Sequence, residues 1–279
     1  LIANIRFFLL FVLSISLNFS AALAAHHEDQ AYRFAVFPFI SASRLEAVFA
    51  PVAAHLSHSL GRPVLYQSSK SFDSFKQLLL EGKPDIAFIQ PFDYALIAKQ
   101  QGYVPLVGSQ RLLSVILTHQ DSDLIDLKQL RGKRLGLPPQ GAAISILAKA
   151  TLGDIGLSSQ DVDLRHFKNH SACMQQLLTR RVDACATAPG PRRVYEGKMH
   201  VQFKQLAQTK TIPSSLFVVN SRISEQQRDL IRADLLALRE SSKPGVYYNY
   251  SEGTLLVEAF DSDYDGLLEM VGKAEGKKQ

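Results

Sequence analysis

Apolar positions in this chain follow two periods that alternate. Phe34 to Phe37 and Ile86 to Ile89 are short unbroken apolar runs, the signature of strands covered on both faces. Between them Leu45, Val48, Phe49, Val52, Leu56 and Leu60 recur at helical spacing, behind a Ser43-Arg44-Leu45-Glu46 capping box and ahead of Gly61. Pro51 should bend that helix, because it lacks the N–H that would reach Ala47. A strand over Pro63 to Gln67 follows. Ser71 then caps a helix carrying Phe72, Phe75, Leu78 and Leu79, which stops at Glu81-Gly82-Lys83-Pro84. After the Ile86 run, Pro91 suits a first helical position with Tyr94 in the first turn. The order βαβαβ predicts a mainly parallel sheet.

The pattern restarts at Arg134. It gives a strand to Leu137, Pro138-Pro139, a helix from Ala142 to Leu152, a strand near Val162 to Arg165, a helix from Ser171 to Thr179 and a strand from Val182 to Thr187. Setting Asp85 over Asp183 lays Phe72–Pro91 on His170–Pro189, with Gln77 on Gln175, Leu79 and Leu80 on Leu177 and Leu178, and Pro91 on Pro189. Two similar α/β lobes explain this better than one continuous sheet. Apolar strands over Leu112 to Thr118 and Ser214 to Asn220 bracket the second series and predict a two-strand hinge near 112–118 and 213–219. Lobe one is then discontinuous, 25–114 plus 216–279, and lobe two is 115–215. A helix behind the capping box Ser224-Glu225-Gln226-Gln227, carrying Leu230, Ile231, Leu235 and Leu238, returns to lobe one.

Arg6, the apolar run Phe7 to Leu17 and the small-residue site Ala22-Leu23-Ala24 read as a secretory signal peptide over residues 1–24. The run falls short of the roughly 20 residues a membrane span needs. No cysteine follows the cleavage site to take a lipid, so a soluble periplasmic protein is expected. The charge balance, 31 Lys and Arg against 26 Asp and Glu, is mildly basic. Apart from the Lys273–Lys278 tail it is unclustered, which excludes a nucleic-acid partner and favours small anions. There is no G-x-S-x-G, H-E-x-x-H, P-loop or dinucleotide fingerprint. His26 and His27 sit near the amino terminus, and His55 and His58 have no evident carboxylate partner. No catalytic residue, cofactor or metal site is therefore expected. Cys173 and Cys185, the only cysteines, overlie Phe75 and Ala87 in the repeat; a disulfide and two buried thiols both fit.

With Asp85-Ile86-Ala87-Phe88, Leu127-Lys128-Gln129-Leu130-Arg131-Gly132-Lys133, His170 thirteen residues before Asp183, and Ile212-Pro213 in this order, the chain resembles the PhnD-like periplasmic binding proteins of type II. That family serves phosphate, phosphite and phosphonate ABC transporters. The resemblance implies an oxyanion held at the N-terminus of the second lobe's first helix, where Gly141-Ala142-Ala143 stand in place of the family's Ser-Thr-Ser run and Ser145 is a substitute hydroxyl. The backbone N–H groups and the helix dipole survive there. Phe72 matches a family aromatic and His170 the ligand-side histidine. Leu112 replaces a tyrosine, while Gly190 and Ser215 replace the two carboxylates that hold an amine, which argues against an aminoalkylphosphonate. Arg192 and Arg193 offer a guanidinium fork instead. A soft-ion site at the cysteines, as in sensors of this family, is a further alternative.

Gln90 and Tyr94, at a strand end and first helical turn, are the polar candidates of lobe one, and Arg111 precedes the hinge. The function expected is capture of a phosphonate-, phosphite- or phosphate-like oxyanion, or related organic anion, between the lobes by a monomer serving an ABC permease and ATPase. The alternative is a ligand sensor partnering a membrane histidine kinase; a periplasmic enzyme ranks below both.

Overall fold

The structure, a computed structural model, describes residues 31–109, 111–238 and 256–275. The signal peptide expected over residues 1–24 lies outside the described residues. Two mixed sheets flanked by helices carry the fold. The first contains β1 (Tyr32–Val36), β2 (Val64–Ser68), β3 (Ile86–Ile89), β4 (Tyr103–Ser109), β10 (Leu216–Asn220) and β11 (Leu256–Glu258), in the order β11-β4-β10-β3-β1-β2. The second contains β5 (Val115–Thr118), β6 (Arg134–Leu137), β7 (Asp163–His166), β8 (Ala184–Thr187) and β9 (Lys204–Gln208), in the order β7-β6-β8-β5-β9. Both sheets share one arrangement. Three parallel strands, β2-β1-β3 and β7-β6-β8, are each followed by an antiparallel strand at the centre, β10 or β5. β3, β8, β5 and β10 are buried at every position, which is why their sequences are unbroken apolar runs or runs of small residues.

The helices are α1 (Ala42–Leu60), α2 (Phe72–Leu80), α3 (Pro91–Asp93, continued by a π-helical turn over Tyr94–Ala98), α4 (Ala143–Asp154), α5 (His170–Leu178), α6 (Pro189–Met199), α7 (Glu225–Ala237) and α8 (Leu267–Ala274). α1 begins at Ala42, so Ser43 lies in its first turn rather than at its cap; Ser41 is the cap residue. Leu45, Val48, Phe49, Val52 and Leu56 form its buried stripe, and Gly61 closes it with φ of 61°. Ser71 and Ser74 cap α2 reciprocally, and Ser224 accepts from the Gln227 N–H at the start of α7.

The internal repeat holds at the level of single bonds. Asp85 accepts from the Arg33 N–H at 2.7 Å, and its own N–H donates to Arg33 O at 2.9 Å. Asp183 does the same with Arg134, at 2.8 and 2.9 Å. Each carboxylate also holds a guanidinium, Arg222 on Asp85 and Arg134 on Asp183. Asp therefore recurs at one position because it ties the third strand of each sheet to the first.

The lobes differ in what fills them. Phe34, Phe37, Phe49, Phe75, Phe88 and Phe217 interlock around the first sheet. In the second, Cys173 and Cys185 form a disulfide with Cα atoms 6.0 Å apart, at the places of Phe75 and Ala87. A Cβ on Gly136 would stand 2.9 Å from the Cys173 sulfur, so β6 needs glycine opposite the bridge.

The chain crosses between the sheets on two adjacent segments. Leu112 and Ile212 exchange two backbone hydrogen bonds, at 2.8 and 2.9 Å, flanked by Ser109 N–H on Ser215 O and Thr209 N–H on Ser114 O. The strands begin later than the expected Leu112 and Ser214, at Val115 and Leu216, because only an isolated bridge pairs residue 112. Beyond β11 the chain touches both lobes, since α8 also meets α3 and its π-helical turn. α8 packs along α4, with Leu267, Met270, Val271 and Ala274 in one apolar cluster with Ala143, Ile146 and Leu147, and Lys273 pairs with Asp154.

Candidate functional site: the corner between the two sheets

The carboxyl end of β3 and the amino end of α4 face each other from the two sheets. β3 leads into Gln90, whose extended backbone caps α3 while Pro91 fixes the first helical φ. The Gln90 side chain is buried, 2% exposed, and clasps the opposite helix. Its Oε1 accepts from the Ala143 N–H at 2.9 Å, and its Nε2 donates to Gly141 O at 2.7 Å. The same Nε2 donates to Asp93 Oδ2 at 3.0 Å. Ala143 is the first residue of α4, so its N–H is one of the groups with no partner inside the helix. The carboxamide thus holds the positive end of the α4 dipole.

Asp93 and Lys76 complete this corner. Asp93 is 1% exposed, and its Oδ1 lies 3.7 Å from the Lys76 ammonium without a hydrogen-bond partner. Burial pushes the Asp93 carboxyl up to about 6, against the opposing pull of Lys76 and Gln90. Lys76 also crowds Gly141, where a Cβ would meet its Nζ at 3.3 Å and Phe72 Cβ at 3.9 Å. Phe72, the first residue of α2, leans edge-on against Phe37 at 6.0 Å. Sequence reasoning missed Asp93 and Lys76. An acid in the first turn of a helix and a lysine on a half-exposed one are commonplace, and only the tertiary contact sets them apart.

In lobe two the end of β8 meets the first residue of α5. Asn169 caps α5, leaving His170 as its first helical residue, with Nδ1 2.9 Å from Thr187 Oγ1 at the end of β8. Burial drives His170 down to about 4, so the imidazole is neutral at physiological pH.

Three candidate contacts, and the expectation for His55, meet other partners in the structure. Tyr94 is buried and does not present its hydroxyl: it donates to Asp261 Oδ1 at 2.6 Å, and its ring packs on Tyr264 at 5.0 Å. Burial and Asp261 raise its pKa far above the ordinary phenol value. Ser145 is fully buried, and its hydroxyl donates to Pro138 O at 3.0 Å, so it does not replace a lost donor at the helix mouth. Arg192 lies within lobe two, on Glu196 Oε1 at 3.0 Å, Gln205 Oε1 at 3.1 Å and Phe203 O at 2.9 Å. His55, expected to have no carboxylate, lies 3.8 Å from Asp234 on α7. Arg111 is exposed, and Ser215 is half-buried at the crossing with its carbonyl accepting from Ser109. Structure therefore unites Gln90, Phe72, Gly141, Ala142 and Ala143 at one corner and sets His170 against the end of β8, an interior strand of the second sheet. Among the described residues, no group of three or more His, Cys, Asp and Glu could hold a metal, and no helix is long and apolar enough to cross a membrane.

Two α/β lobes, each with an antiparallel strand inside a parallel sheet and joined by paired crossings, define the type II periplasmic binding protein fold. Solved structures agree. A methylphosphonate complex of PhnD1 from Prochlorococcus marinus superposes with a TM-score of 0.75 at 14% identity, covering 89% of this chain and 99% of that one. XAC2383 from Xanthomonas citri, bound to ATP, gives 0.72 at 14% identity, covering 89% and 98%. A binding-protein component of an ABC phosphonate transporter from Pseudomonas aeruginosa gives 0.70 at 11% identity, covering 89% and 87%. At such identities the likeness establishes the fold. Residues 34–266 match the family described as ABC transporter, phosphonate, periplasmic substrate-binding protein, and the chain belongs to that family. No curated protein sequence matches it.

Proposed function

We propose that this protein captures a small anionic solute, of the phosphonate, phosphite or phosphate type, between its lobes and delivers it to an ABC permease and ATPase. Family membership supports solute capture for import. The observation that carries the anion reading is the mouth of α4, where a first-turn N–H held only by the Gln90 side chain and the helix dipole meet the Lys76 ammonium within one interlobe corner. The crossing at Leu112 and Ile212 is the hinge, and the solute favours the closed form because only there do both lobes touch it. Gly190 and Ser215 stand where the family's two amine-holding carboxylates would be, which argues against an aminoalkylphosphonate.

A thermal-shift screen tests this. A true solute at about 100 times its dissociation constant should stabilise the protein by about 2.7 kcal/mol. Phosphate, phosphite, alkylphosphonates, sulfate and small carboxylates form the panel. If none moves the melting temperature, and none shortens the interlobe distance in solution scattering, solute capture is wrong.

A further inference from the structure

The Gln90 carboxamide presents both an acceptor and a donor to the corner. Its oxygen takes the Ala143 N–H of lobe two, and its nitrogen gives hydrogen to the Asp93 carboxylate of lobe one and to Gly141 O. Any solute that reaches the mouth of α4 must displace this group. Three groups are then left open. The Ala143 N–H needs an acceptor, Gly141 O loses a donor, and Asp93, already short of a partner at Oδ1 and almost fully buried, needs a donor most, being out of reach of water.

We propose that the solute of this site is an oxyanion that still carries a proton, and that Gln90 is its internal stand-in. The inference rests on the anion-capture reading above. An ionised oxygen of the solute accepts from the Ala143 N–H, as Gln90 Oε1 does, and its hydroxyl donates to Asp93, as Gln90 Nε2 does. Lys76, 3.7 Å from Asp93 Oδ1, balances the added negative charge. Half-ionised phosphonate, phosphite and phosphate supply both atoms on one centre. Sulfate and sulfonates are fully ionised, offer no donor, and set their charge against Asp93. A site built to receive a hydrogen rejects an analogue without one far more strongly than it rejects a difference of shape. With burial pushing Asp93 up to about 6, the carboxylate is the main form at neutral pH and is able to accept.

Calorimetric titration at pH 7 tests this with five probes: phosphate, phosphite and methylphosphonate against sulfate and methanesulfonate. At least one proton-bearing anion should bind about 100-fold more tightly than its ionised counterpart. Asp93→Asn, whose amide donates to an ionised oxygen, should shrink that ratio below about tenfold, mainly by gain of the sulfonate or sulfate. Gln90→Ala removes the competitor and should tighten the proton-bearing anion several-fold while keeping the preference. If Asp93→Asn does not fold, the wild-type ratio and Gln90→Ala decide. Equal binding of both classes, a preference that survives Asp93→Asn, or weaker binding after Gln90→Ala overturns the inference. Binding of anions without the preference overturns it alone; binding of none of the five overturns the anion-capture reading with it.

Discussion

Residues 72–94 and 170–192 fold the same way and hold different chemistry. Ser71 and Asn169 cap the helix, Asp85 and Asp183 bind the first strand's backbone, and Pro91 and Pro189 open the next helix. At the corner itself Gln90 and Asp93 of lobe one stand opposite Ala188 and Pro191 of lobe two, while Phe72 is matched by His170. Tyr94 and Arg192 occupy equivalent places and both turn away from the corner, one to Asp261 and the other to Glu196 and Phe203. The frame is therefore set by caps, strand-tying carboxylates and prolines. The few positions between them vary without disturbing it, and that freedom lets two like lobes form two unlike jaws.

The interiors offer the largest test of that comparison. Phe75→Ala should cost about 3–5 kcal/mol in denaturant unfolding, since its ring is wholly buried among other aromatics. Replacing both Cys173 and Cys185 by Ala at the matching site should cost about 3 kcal/mol, set by a bridge across 12 residues. A greater loss for the disulfide would mean that lobe two relies on its covalent link more than lobe one does on its core.

The strand-tying carboxylates come next. Asp85→Ala leaves Arg222 and the Arg33 N–H without their buried partner and should cost roughly 3 kcal/mol. Asp183 is more exposed, and its alanine variant should cost about 1 kcal/mol, measured in the same unfolding series. Equal losses would break the claim that burial, rather than position in the repeat, sets the energy.

Each jaw also holds one group that burial keeps toward neutrality, and the two act with opposite sign. Asp93, raised to about 6, makes the folded state bind more protons than the unfolded one between pH 4 and 6, so its contribution falls as pH rises. His170, lowered to about 4, makes the folded state bind fewer protons up to about pH 6.5, so its contribution rises with pH. Each amounts to roughly 3 kcal/mol at about 1.4 kcal/mol per pH unit, and in the wild type they largely offset. Relative to wild type, Asp93→Asn should gain stability as pH climbs from 4 to 6, and His170→Gln should lose it. Melting temperatures across that range would reveal parallel curves if the account is wrong. The smallest effect is Tyr94→Phe, about 1 kcal/mol for the lost bond to Asp261, with solute affinity unchanged. A clear loss of affinity would restore Tyr94 to the corner.

Much of the frame was legible because it is local. The apolar runs at Ile86–Ile89 and the helical stripe from Leu45 to Leu56 specify their elements wherever they pack. The Asp85 and Asp183 repeat was visible as spacing, and its bonds gave the spacing a cause. The site was less legible, because a side chain's direction depends on what arrives later in the chain. Tyr94 sits in the expected first turn, yet its partner is 167 residues away. Ser145 lies in the first turn of α4, and the carbonyl of Pro138 draws it inward. Asp93 became distinctive only when Gln90 and α4 closed over it. Gln90 drew notice by its place at a strand end, though nothing in the sequence pointed to a clasp across the lobes.

The central claim is that the first N–H of α4 is the anion donor. Ala143→Pro removes that N–H alone, since proline is accepted at a first helical position and Ala142, at φ −75° and ψ 140°, already has the conformation proline requires before it. Calorimetric titration of this variant with the anion that binds the wild type should show affinity reduced about 10- to 100-fold, the loss of one hydrogen bond to a charged group, with the fold retained by circular dichroism. Unchanged affinity in the folded variant would contradict the account.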